Sequence, residues 1–145
     1  TTLSTGVWYH FLQCWDGSTM KVYFNGSLVG SQSVSDVKTH SPYNLFVGLG
    51  RGGNGSRLNG QVDEVSFWTS DQSSNIASIY GDGSGAPDLE DLSPIGWWRM
   101  GDTGTDADAG VGASVSTITD AGSGGNNLVQ PTASAQPLLS SSVPS

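Results

Sequence analysis

Basic residues, cysteines and long apolar runs are all scarce in this sequence. Its 145 residues carry five Lys and Arg against 13 Asp and Glu, for a net charge of −8. Lys21, Lys38, Arg51, Arg57 and Arg99 are scattered. Binding to a phosphate backbone needs such residues clustered, so nucleic acid is excluded as a partner. No apolar stretch approaches the ~20 residues of a membrane-crossing helix, and no basic amphipathic helix is visible, so no membrane insertion is expected. The single cysteine, Cys14, makes neither an internal bridge nor a thiolate metal cluster. Between Gln13 and Trp15 it reads as a small buried hydrophobe. The lack of disulfides argues against a typical animal secreted domain. The sequence opens at Thr1 and enters strand-like residues within a few positions. It is read as a processed product or a piece of a longer polypeptide, with no signal peptide of its own.

What is present is turn-forming and aromatic. The chain holds 21 Gly, and five Trp, four Tyr and four Phe supply most of the large apolar surface. That mixture suits an all-β domain with many turns. Residues Val7 to Trp15 (VWYHFLQCW) form an aromatic strand that ends at Asp16-Gly17. Met20 to Phe24 alternates, and Asn25-Gly26 before SLVGSQSV marks a two-residue hairpin, because both turn positions want positive φ. Asn44 to Gly50 reads as a buried strand followed by a Gly-rich loop, 50–55. In Leu58 to Trp68, Val62, Glu64, Ser66 and Trp68 share one face and Asp63, Val65 and Phe67 the other. The spacing of Ile76, Ile79 and Tyr80 predicts a short helix over 73–80, stopped by Gly81. A polar linker around 86–94, an aromatic strand at Ile95 to Met100 and a short strand at Leu128-Val129 follow, and a Ser/Ala/Pro-rich tail begins after Pro131.

Several of these motifs fall in a familiar order. Trp8-Tyr9-His10-Phe11, Asp16-Gly17-Ser18, Lys21-Val22-Tyr23-Phe24-Asn25-Gly26, Phe46-Val47-Gly48 and Leu58-Asn59-Gly60-Gln61-Val62-Asp63-Glu64-Val65 resemble the second half of a laminin G-like, concanavalin A-like domain. The likeness covers about residues 6–81 and implies an antiparallel jelly-roll β-sandwich. Residues 1–85 then form the second half of the sandwich and 86–94 a linker. Residues 95–145 either complete the sandwich or open a second unit. Ile95-Gly96-Trp97-Trp98-Arg99-Met100-Gly101-Asp102, followed by Asp120 and Gly122-Ser123-Gly124-Gly125-Asn126-Asn127, looks like the opening strand and loop of the same family. A second-half pattern followed by an opening pattern is similar to structural proteins of marine bacteriophages.

Candidate sites are few. Jelly rolls that cleave glycans present two acids on one face, about 5 Å apart in the retaining case. Here Asp63 and Glu64 are adjacent and face opposite ways, so a non-enzyme is expected, with Glu64 bonding to backbone or to His10. His10 and His40 have neither triad nor zinc spacing and read as structural. The Gly50 to Gly55 loop lacks the Lys and following helix of a phosphate cradle. Many laminin G-like domains hold calcium, and Asp102, Asp106, Asp108 and Asp120 are the candidate ligands, although a solvated acidic loop is the preferred account. For a glycan, Trp15, Tyr43, Asn54 and Trp68 are the candidate contacts, against the alternative that such aromatics are core. Asn25 and Asn54 each begin an N-x-S sequon, which matters only in a eukaryotic secretory pathway.

The resemblance therefore implies a non-catalytic structural module of a virion or an extracellular surface, such as a tail fibre, head fibre or decoration protein. It would serve adhesion, carbohydrate recognition or subunit packing within a larger oligomer, with other subunits and cell-surface glycans as partners. The alternative is a carbohydrate-binding accessory module of a secreted glycan-degrading enzyme.

Overall fold

The computed structural model describes residues 2–35, 47–48, 58–83, 87–100, 114–130, 132–136 and 138. The expected strand at 44–50, the loop at 50–55, His40, Tyr43, Asn54, Asp102, Asp106, Asp108 and most of the tail lie wholly or largely outside the described residues.

The N-terminal part forms an antiparallel three-stranded sheet of β1 (Phe11–Trp15), β2 (Thr19–Phe24) and β3 (Ser27–Ser33). Both joins follow from the turn chemistry. Asp16 accepts the N–H groups of Ser18 and Thr19, closing the first turn. At the second, Asn25 and Gly26 have φ of 46° and 72°, as a two-residue hairpin demands. Asn25 also ties the turn to the start of β1: its N–H donates to the His10 carbonyl and its Oδ1 accepts the His10 N–H. Alternation along β1 turns Leu12 and Cys14 inward and leaves Phe11, Gln13 and Trp15 outward. Leu12 pairs with Tyr23, which is also buried.

The helix forms where its spacing predicts, as a 3-10 turn at Ser73–Asn75 running into α1 (Ile76–Tyr80). Gly81, at φ 57°, caps it by donating its N–H to the Ala77 carbonyl. Ile79 enters the core, and the Tyr80 ring lies on Gly26, where a Cβ would come within 2.6 Å of it. Glycine is therefore required at that hairpin position by contact as well as by conformation.

A second antiparallel sheet pairs β4 (Val65–Phe67) with β5 (Gly96–Trp98), and a third pairs β6 (Thr117–Ile118) with β7 (Leu128–Val129). β4 is much shorter than the strand read from 58–68. Glu64 sits at φ 51°, and its N–H bonds to Asp63 Oδ1, so extended backbone and its two-residue alternation begin only at Val65. β5 is buried at all three positions.

One core joins these pieces. Leu12, Cys14 and Tyr23 from the first sheet meet Ile79, Leu89 and Trp97, flanked by Trp68, Ile76 and Leu92. Two sheets thus close over a shared apolar interior with one short helix beside them, the all-β antiparallel sandwich anticipated from the sequence. Leu89, in the segment read as a linker, is only 1% exposed. Its neighbours Asp88, Glu90 and Asp91 point to solvent and mask it in the sequence.

Candidate functional site

The outward face of the first sheet carries two exposed aromatic side chains. Phe11 is 62% exposed and Trp15 40%. Four residues apart on one strand, they lie about 13 Å from each other on the same face, with the amide of Gln13 between them. The Trp15 indole N–H donates to the Val34 carbonyl at 3.2 Å, which fixes the ring at the end of the sheet. Gln13 is held by a contact from its Nε2 to Met20 Sδ at 3.2 Å. Phe24, cross-strand from Phe11, is covered by the stacked ring of Tyr9 at 5.3 Å. The result is a flat strip of two open rings flanking one amide, suited to stacking on an apolar or pyranose face.

Below this strip the side chains are locked by polar contacts. Asp16 accepts from the Thr19 and Ser18 N–H groups and the Ser18 hydroxyl, which push its pKa down to about 2. Lys21 reaches Asp16 at 3.4 Å and Ser73 Oγ at 3.4 Å, linking the sheet to the helix entrance. Burial pushes the Cys14 thiol above its ordinary pKa, which favours the protonated form.

Glu64, on β4's approach, is the carboxylate from which a glycosidase reading would start, with a second acid facing it. Its Oε2 accepts the Trp97 indole N–H at 2.5 Å and its Oε1 accepts from Arg99 Nε at 3.1 Å. The Arg99 guanidinium also lies 4.8 Å from the centre of the Trp97 ring. The expected bond to His10 is not formed: His10 Nδ1 is buried without a partner, and its ring packs instead against Tyr80 at 5.5 Å. Loss of solvent lowers the His10 pKa.

Asp120, one of the four residues read as calcium candidates, is buried and faces amides. Its Oδ1 accepts the Trp97 and Gly122 N–H groups, each at 2.8 Å, and its Oδ2 accepts that of Asn126 at 2.7 Å. Burial alone would raise its pKa, but the donors of Trp97, Asn126 and Gly122 outweigh that and hold it below the ordinary carboxylate value. Amide hydrogens turned towards the carboxylate create a positive environment, which opposes a cation. Among the described residues no group of three or more His, Cys, Asp or Glu is placed to hold a metal.

Of the four residues read as glycan contacts, Trp15 is outward and open, whereas Trp68 packs against the core with its indole N–H buried and unpartnered. Tyr43 and Asn54 lie outside the described residues. Phe11 was missed, although the inward Leu12 and Cys14 put it on the same face as Trp15. A cleft of about 260 Å³ also opens beside Trp97, lined by Glu90, Ser93, Pro94 and the 121–123 loop.

Residues 1–84, more than half of the chain, match the family described as the concanavalin A-like lectin/glucanases superfamily. No curated protein and no solved structure matches the chain. The antiparallel sheets, the single short helix and this match together assign the chain to the concanavalin A-like lectin/glucanases superfamily.

Proposed function

We propose that this chain is a passive recognition and packing module that binds through the outward face of its first sheet. The carrying observation is the pair Phe11 and Trp15, open on one strand face with Gln13 between them. Exposed aromatics flanking a polar group suit a glycan ring or the surface of a neighbouring subunit. The surroundings of Glu64 support a non-catalytic reading. Both of its oxygens are engaged, by an indole and a guanidinium, and a carboxylate held by Arg is stabilised as the anion, the wrong state for a general acid.

The setting we propose is a virion or an extracellular surface, as part of a tail fibre, head fibre or decoration protein. Repetition across an ordered particle would there convert weak contacts into avidity. The low charge and the Ser/Ala/Pro tail support this setting. An accessory module of a glycan-degrading enzyme uses the same aromatic strip and is the second reading.

A glycan array of the purified chain, run beside Phe11→Ala and Trp15→Ala, tests the site. Binding that falls at least about tenfold in either variant supports it. Wild-type binding that survives both substitutions removes the strip from consideration. Glycan binding without assembly into particles favours the accessory module, and assembly without glycan binding favours packing. Hydrolysis of β-glucans that disappears in Glu64→Gln would overturn the non-catalytic reading.

A further inference from the structure

The chain contains three Asn-Gly steps, Asn25-Gly26, Asn54-Gly55 and Asn59-Gly60. Asn54 lies outside the described residues, but the other two stand in opposite circumstances. An Asn followed by Gly is chemically labile because the unhindered Gly nitrogen attacks the side-chain amide carbon. The N–Cγ bond forms, the Cγ–Nδ2 bond breaks, and the amide nitrogen leaves as ammonia with the backbone proton. Water then opens the cyclic imide to aspartate or isoaspartate. Attack requires a side chain and backbone free to rotate towards each other.

Asn25 has neither freedom. Its Oδ1 accepts the His10 N–H at 2.9 Å, and its own N–H donates to the His10 carbonyl at 3.0 Å. The adjoining Gly26, at φ 72°, lies under the Tyr80 ring. Asn59 is exposed, stands in irregular backbone before β4, and makes no hydrogen bond among the described residues. We propose that Asn59 is a self-modification site that converts to aspartate and isoaspartate with water as the only co-reactant, while Asn25, with the same Asn-Gly step, is protected by the fold.

The product adds a negative charge to a chain already at −8, and its isoaspartyl form lengthens the backbone in the segment leading to Glu64. On a long-lived surface protein, this makes the segment before β4 an age-dependent feature.

The test is peptide mapping by mass spectrometry after incubating the whole chain at mildly alkaline pH, native and in urea. In urea both sites should react at similar rates. In the native chain Asn59 should keep nearly its unfolded rate, while Asn25 slows by about thirtyfold, as expected for two hydrogen bonds that must first open. Asn59→Gln should abolish the isoaspartate signal from that peptide and leave Asn25 unchanged. Native Asn25 reacting as fast as Asn59, or Asn59 slowed tenfold or more by folding, overturns the proposal.

Discussion

Asp120 accepts the backbone N–H of Trp97 at 2.8 Å, joining residues 23 apart in sequence at the most buried of the described strands. The same carboxylate gathers the Gly122 and Asn126 amides, while Ala121 donates back to the Trp97 carbonyl at 2.7 Å. Asp120→Ala leaves three N–H groups without their acceptor and should cost about 4 kcal/mol, read as a lower urea midpoint at unchanged slope. Asp120→Asn keeps one acceptor oxygen and should lose less. If the alanine variant unfolds at the wild-type midpoint, this carboxylate does not hold the loop.

The depressed carboxylates set an acid limb. Asp120, Asp16 and Asp71, the last accepting the Ser73 hydroxyl and N–H groups, all titrate below their ordinary value. A group whose pKa is lower folded than unfolded contributes fully above the unfolded value, 3.8, and loses that contribution as pH falls through the folded one. Stability should therefore drop between about pH 4 and pH 2. In Asp120→Asn this limb should be shallower, which thermal melts across that range will show.

His10 adds a second limb at higher pH. Burial lowers its folded pKa below 6.5, so stability is complete above 6.5 and declines as pH falls from there through the folded value. The buried, unpartnered Nδ1 gives protonation no compensating bond. His10→Phe keeps a ring against Tyr80 and should flatten this limb while changing neutral-pH stability by no more than about 0.5 kcal/mol. An imidazole titrating at or above 6.5 by NMR contradicts the assignment.

Glu64 offers a spectroscopic handle. In Glu64→Ala the Trp97 indole and Arg99 both lose an acceptor, which should cost about 2 kcal/mol and shift tryptophan emission. Glu64→Gln retains an acceptor for the indole and should fall between the two.

Gly124 in the 122–125 loop is not equivalent to Gly30 of β3. A Cβ on Gly124 would overlap the Ile95 carbonyl oxygen, whereas one on Gly30 meets nothing within 4 Å. Gly124→Ala should destabilise by about 3 kcal/mol and Gly30→Ala should be neutral or stabilising by about 0.5 kcal/mol, both by thermal denaturation.

Local chemistry was legible in the sequence and long-range chemistry was not. Asp16-Gly17, Asn25-Gly26 and the spacing of Ile76, Ile79 and Tyr80 each determine structure within a few residues, and each predicts what is found. The partners of Glu64 lie 33 and 35 residues away, and alternation along 58–68 cannot show that the strand starts late because Glu64 has a positive φ. Asp120 reads as part of a solvated acidic loop, with calcium ligation as the alternative, when only its acidic neighbours are counted. Its role emerges once Trp97, Gly122 and Asn126 turn their amides towards it. The exposed pair on β1 was half legible: Trp15 stands at a strand end, while Phe11 needed the inward direction of Leu12 to be known.

The fastening of β5 by a loop that begins at Asp120 also fixes when this protein can finish folding. The Trp97 amide must wait for Asp120, 23 residues further along the chain, to leave the ribosome before it meets its acceptor. Until then Leu12, Tyr23 and Ile79 face an interior without its lid, exposed to chaperones and to neighbouring nascent chains. A translational pause between the codons for Trp97 and Asp120 should therefore raise aggregation more than an equal pause before Phe11.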